Sequence, residues 1–150
     1  MTIKTAILQI LLVFLLASGC ATDPERDAKE AARIAAIEWI YLLDDGRYNE
    51  CWQSSATHFK QALSSEEWEE TISDIRSPLG PVMGRTELSA DYSDPPMEGP
   101  DGKYLTIQYR TDFQKRIKTM ESITLIMEEN KKWRVYTYSS RLLPPKKRYR

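Results

Sequence analysis

Apolar and polar positions alternate along this chain with two different periods, and the change of period divides it. From Ala28 the apolar residues recur every three or four places. Ala32, Ala35, Ala36, Trp39, Ile40 and Leu43 form one stripe, with Arg33 and Glu38 off it. This spacing predicts a long amphipathic helix, narrow at its alanine end and broad at its tryptophan end. Asp23 followed by Pro24 is a start signal for it. Gly46 supplies the left-handed residue that ends such a helix. Asp44 and Asp45 sit where a helix C-terminus disfavours negative charge. Asp45 is therefore assigned as the cap of the next helix, in which Tyr48, Trp52, Ser55 and Phe59 keep helical spacing. Ser64 with Glu67 matches a capping box, and Trp68, Ile72 and Ile75 carry a third helix to about Arg76. Ser77-Pro78-Leu79-Gly80-Pro81 stops it.

From Val82 the period falls to two. Val82, Gly84, Thr86, Leu88, Ala90 and Tyr92 are expected on one face of a first strand. A Pro- and Gly-rich loop over residues 94–102 follows. Residues 104–113 form a second strand with Leu105, Ile107, Tyr109 and Phe113 on one face. A third strand spans residues 117–127, and residues 128–131 make a tight turn. The fourth strand, residues 132–139, carries Trp133, Val135 and Thr137 on one face and Tyr136 and Tyr138 on the other. Three helices followed by consecutive antiparallel strands make an α+β layout, with the helices packed on one face of a curved sheet of about four strands.

Residues 1–20 lie outside this pattern. A single Lys4, a nearly unbroken apolar run over residues 6–17 and small residues before Cys20 read as a signal peptide. The run is short for a membrane span. Leu16-Ala17-Ser18-Gly19-Cys20 is similar to the bacterial lipobox, in which the cysteine is lipidated; a plain secretory signal or an uncleaved anchor are the alternatives. Ala21 after the cysteine is similar to the outer-membrane sorting pattern. The expected organisation is a signal over 1–19, a lipidated tether over 20–24, one domain over 25–140 and a basic tail over 141–150. The tail is either a solvated end or an arm on anionic lipid head groups.

Composition narrows the classes. The chain has 150 residues and a net charge of −1, which allows one domain and no global basic bias toward nucleic acid. Of its two cysteines, Cys51 has no partner if Cys20 carries lipid.

Taken together, Trp39-Ile40-Tyr41-Leu42-Leu43-Asp44-Asp45-Gly46-Arg47-Tyr48-Asn49-Glu50-Cys51-Trp52, then Trp68, Arg76-Ser77-Pro78-Leu79-Gly80 with Arg85, Tyr109-Arg110-Thr111-Asp112-Phe113, Glu121-Ser122-Ile123-Thr124-Leu125 and Trp133-Arg134-Val135-Tyr136-Thr137-Tyr138 resemble the bacterial domain of unknown function 4019. The resemblance covers about residues 28–140 and implies a small secreted or lipid-anchored protein with no assigned activity. Cys51 departs from it, standing where a small hydroxyl residue is expected. More loosely, the layout is similar to the nuclear-transport-factor-2-like cone, which implies a pocket between helices and sheet and a homodimer through the open sheet face. That fold does not set a function.

The candidate chemistry centres on Glu121, which shares the third strand's face with Ile117, Thr119, Ile123, Leu125 and Met127. A carboxylate there is paired, with Arg76 or Arg85, or it is a pocket acid of raised pKa. Trp39, Trp52, Trp68, Tyr109, Glu121 and Trp133 are the expected lining of a pocket, if one exists; otherwise the aromatics pin the helices. His58, the one histidine, reads as a surface residue unless it faces a pocket carboxylate. Asp94, Glu98 and Asp101 lack the spacing of a calcium loop. No zinc set, nucleophile motif or phosphate loop is present, so no cofactor and no metal are expected. The expected role is a non-enzymatic accessory or protein-interaction module of the envelope, membrane-anchored through Cys20; a binder of a small apolar or amphipathic ligand in the cone pocket is the alternative, and a small enzyme ranks third.

Overall fold

A computed structural model describes residues 23–94, 99–115 and 117–143. The signal segment, Cys20, Glu98 and the basic residues from 144 lie outside the described residues.

Among the described residues, four helices precede four strands. Helix α1 spans Pro24–Asp44; Asp23 caps it by accepting from the Glu25 N–H, and Pro24 opens its first turn. Gly46 ends it at a φ of 73°. The buried face carries Ala32, Ala36, Trp39, Ile40 and Leu43. The alanines bring the backbone close to the sheet, and the larger side chains fill the wider end. Helix α2 spans Tyr48–Ser54 and α3 spans Thr57–Ala62. Helix α4 spans Ser65–Arg76 behind a complete Ser64–Glu67 capping box.

Strands β1 (Val82–Ser93), β2 (Tyr104–Phe113), β3 (Lys118–Met127) and β4 (Trp133–Leu142) form one antiparallel sheet in the order β1-β2-β3-β4. Its inner face supplies Leu105, Ile107, Tyr109, Ile123, Leu125 and Val135 to one core with Trp68 and Ile72 of α4 and the α1 stripe. The architecture is thus α+β, with the helices N-terminal to the sheet.

Six expectations are corrected. The expected single second helix is two short helices, which gives four helices rather than three among the described residues. Ser55 and Ala56 are extended, and the Ala56 N–H leaves the helix to bond the Val135 carbonyl on β4 at 2.8 Å. Asp45 does not cap the next helix: it ends α1, and Arg47 stands at the start of α2 with no side-chain cap. On α4 it is Arg76, not Ile75, that is buried. The stripe runs Trp68, Ile72, Arg76, four apart each time. On β1, bulges between Val82 and Gly84 and between Glu87 and Ser89 break the alternation. Leu88 is consequently exposed, and Arg85 is drawn partly inside. The β3–β4 ladder is shifted at Thr124/Leu125, opposite Tyr136. That single extra residue puts Tyr138 against the core with Trp133 and Val135, where strict alternation places it on the opposite face. β4 also runs to Leu142, so residues 141 and 142 belong to the sheet rather than to a tail.

Candidate functional site: a closed ionic cluster and an open groove

Glu121 is 1% exposed, on the inner face of β3. The carboxylate sits where four elements converge. Arg76, the last residue of α4, donates from Nη1 to Oε1 at 2.7 Å. Tyr138 OH donates to the same oxygen at 2.6 Å. Arg85 donates from Nε to Oε2 at 3.0 Å, and the Thr111 hydroxyl donates to that oxygen too. Each oxygen therefore accepts two bonds, which exhausts the lone pairs of a carboxylate.

Asp44 closes the cluster from the C-terminus of α1. Arg85 meets it in a two-pronged contact, Nη1 to Oδ2 at 2.6 Å and Nη2 to Oδ1 at 3.0 Å, and Arg76 Nη2 also donates to Oδ1. Fork-shaped guanidinium groups suit this bidentate geometry. The Arg76 guanidinium lies 5.0 Å from the Phe113 ring centre. Two cations and two anions cancel. Burial works against the Arg85 charge, but hydrogen bonding and attraction from Asp44 and Glu121 raise its pKa overall. Burial raises the Tyr138 hydroxyl, and the Glu121 charge raises it further. Chemically the cluster is saturated. It offers no free base, no nucleophile and no open coordination position.

The expected pocket residues do not line one cavity. Trp39, Trp68 and Tyr138 pack ring against ring, with centres 5.4–6.2 Å apart. Trp52 and Trp68 staple the helices: their indole N–H groups bond Leu63 O at 2.8 Å and Tyr48 O at 3.0 Å. Trp39 bonds Cys51 O and Ser55 Oγ at 3.0 and 2.9 Å. Tyr109 is buried opposite Glu121 in the β2–β3 register. Cys51 is buried and free, and burial pushes its thiol up to about 12. His58 is exposed and stacks on Tyr136 at 5.0 Å rather than facing Glu121.

Trp39 and Trp133 do meet in one surface groove of about 420 Å³, between α1 and the β3–β4 turn. Trp133 is 8% exposed, and its indole N–H has no acceptor among the described residues. Beside the groove, α1 presents a second apolar stripe to solvent: Ile34, Ile37 and Tyr41 are 51%, 61% and 66% exposed.

Three members of the cluster were not foreseen from the sequence: Thr111 and Tyr138 as donors to Glu121, and Asp44 as the second carboxylate held by Arg76 and Arg85. Two of them had signals. Asp44 breaks the charge preference of a helix end, and Thr111 falls on the inward parity of β2. The β4 bulge hides Tyr138. Among the described residues no group of three His, Cys, Asp or Glu side chains is placed to hold a metal, and no helix is long and apolar enough to cross a membrane.

The family described as protein of unknown function DUF4019 matches residues 35–138, from the middle of α1 to Tyr138 of β4. The chain belongs to that family. Comparison with curated proteins gives no match.

Proposed function

We propose that this protein is a bacterial envelope lipoprotein, held to a membrane through Cys20 and facing the periplasm, that acts without catalysis as a protein-interaction module. The observation that carries the reading is the Ile34–Ile37–Tyr41 stripe. Three large apolar side chains lie exposed along one helix whose opposite face already fills the core. Large apolar side chains grouped on a surface mark interaction sites more often than singly scattered ones do. The saturated Glu121 cluster supports a structural role for the residues that most resemble chemistry.

The finer fold reading, a nuclear-transport-factor-2-like cone with a homodimer through the open sheet face, belongs to the same proposal. It is supported by helices on one face of a four-stranded antiparallel sheet.

Photo-crosslinking in intact cells tests the reading. A photoreactive residue at Ile37 or Tyr41 of the full chain is expected to give a discrete protein adduct, with none from Glu70 on the exposed side of α4. Equal yields at all three positions would refute the interaction surface. Fractionation of Cys20→Ala tests the anchor separately: loss from the membrane fraction is expected, and unchanged membrane association would overturn lipidation.

A further inference from the structure

We propose that the groove between α1 and the β3–β4 turn binds a free single-chain amphiphile with an anionic head, of the fatty-acid class. The α1 wall is apolar, built from Ala31, Ile34, Ala35 and Leu42. The opposite wall is basic, built from Lys131, Lys132 and Arg134 beside Trp133. Its volume of about 420 Å³ falls within the usual range for small-ligand sites, about 300–1,000 Å³.

The charges favour an anion. Arg134 is neutralised by Glu128, Nε to Oε2 at 2.9 Å. Glu38 contributes one negative charge from α1. Lys131 and Lys132 contribute two positive charges and stand in no ion pair among the described residues. The balance at the rim is one positive charge. Lys131 also holds the left-handed turn position at a φ of 63°, where Gly or Asn is less strained.

A missing acceptor completes the description. The chain has four tryptophans. Three donate their indole N–H to an oxygen of the protein, and Trp133, on the groove wall, donates to none among the described residues. A buried donor without a partner costs about 1–3 kcal/mol. A carboxylate at the basic wall supplies the acceptor while its chain lies along Ile34 and Leu42. The N–H is covered, so engagement requires the indole to tilt toward the head group, and its resonance reports that tilt.

The test is a titration of ¹⁵N-labelled protein with sodium decanoate below its micelle threshold. All described elements lie between Pro24 and Leu142, so residues 21–150 serve. The Trp133 indole peak, assigned by its loss in Trp133→Phe, is expected to shift saturably while Trp52 and Trp68 stay still. The double variant Lys131→Glu/Lys132→Glu is expected to weaken binding about tenfold, since two exposed charges are reversed. Decyltrimethylammonium, with the same chain and a cationic head, is expected to leave Trp133 unmoved. An equal response to both amphiphiles, shifts in all four indoles, or no shift at all would overturn the proposal. So would a response confined to phosphatidylglycerol vesicles, which would make the groove a membrane-contact surface.

Discussion

The Glu121 cluster and the Trp133 groove differ in one respect that separates structure from function: how completely their polar groups are answered. Both Glu121 oxygens accept two donors and the charges of the cluster cancel. Around Trp133, among the described residues, an indole N–H lacks an acceptor, two lysines lack carboxylates, and apolar side chains on the adjoining helix are exposed. Taken alone, a buried charge among hydrophobic residues looks like the place for chemistry. The comparison reverses that. A saturated buried cluster ties elements together, and the incomplete surface is the one with binding capacity to spare.

Removing Glu121 is the most forceful way to break the contrast. Glu121→Ala leaves two buried guanidinium groups against Asp44 alone. It should lower stability by about 3–5 kcal/mol, as deleting one partner of a buried ion pair does. Urea unfolding measures this; a loss below about 1 kcal/mol would show the cluster to be well solvated.

Alkaline pH probes the same region. Burial raises Cys51 from 9.0 to about 12 and raises Tyr138 as well. Both groups hold their protons more tightly folded than unfolded. The stability they add is whole below about pH 9 and is lost as pH rises toward about 12. Thermal melts should show this decline, and Cys51→Ala and Tyr138→Phe should each flatten it.

The tryptophans sharpen the comparison further. Trp39→Phe and Trp133→Phe both lose ring area, but only the first loses hydrogen bonds. Trp39→Phe should therefore be worse by about 1 kcal/mol. Equal losses in denaturant would mean that the Trp133 N–H has an acceptor after all. The smallest effect is expected at the exposed stripe. Ile37→Lys should change stability by less than about 0.5 kcal/mol while abolishing the crosslinked adduct expected at Tyr41.

Much of this was legible in the sequence, and the reasons are local. The Ser64 capping box, the Asp23-Pro24 start and the Gly46 stop each depend on a few neighbouring residues, and each stands in the structure. The parity of β2 and β3 was readable because neither strand is bulged along its paired length with the other. That parity marked Glu121 as a carboxylate on an apolar face. Failures came wherever a distant group intervened. The split between α2 and α3 exists because β4 captures the Ala56 N–H. Ile75 and Arg76 exchanged places because the arginine had two carboxylates to reach, across 32 and 45 residues.

The sequence by itself determined the order of helices before strands, the caps of α1 and α4, the period change at Val82 and the acid among the hydrophobics. Those depend on contacts within a turn or along a strand. Only the tertiary structure decided which side chains answer that acid, because bulges in β1 and β4 reset the parity that brings Arg85 and Tyr138 to it. It likewise decided that the Trp133 N–H meets no acceptor among the described residues, since that depends on where distant segments are brought together.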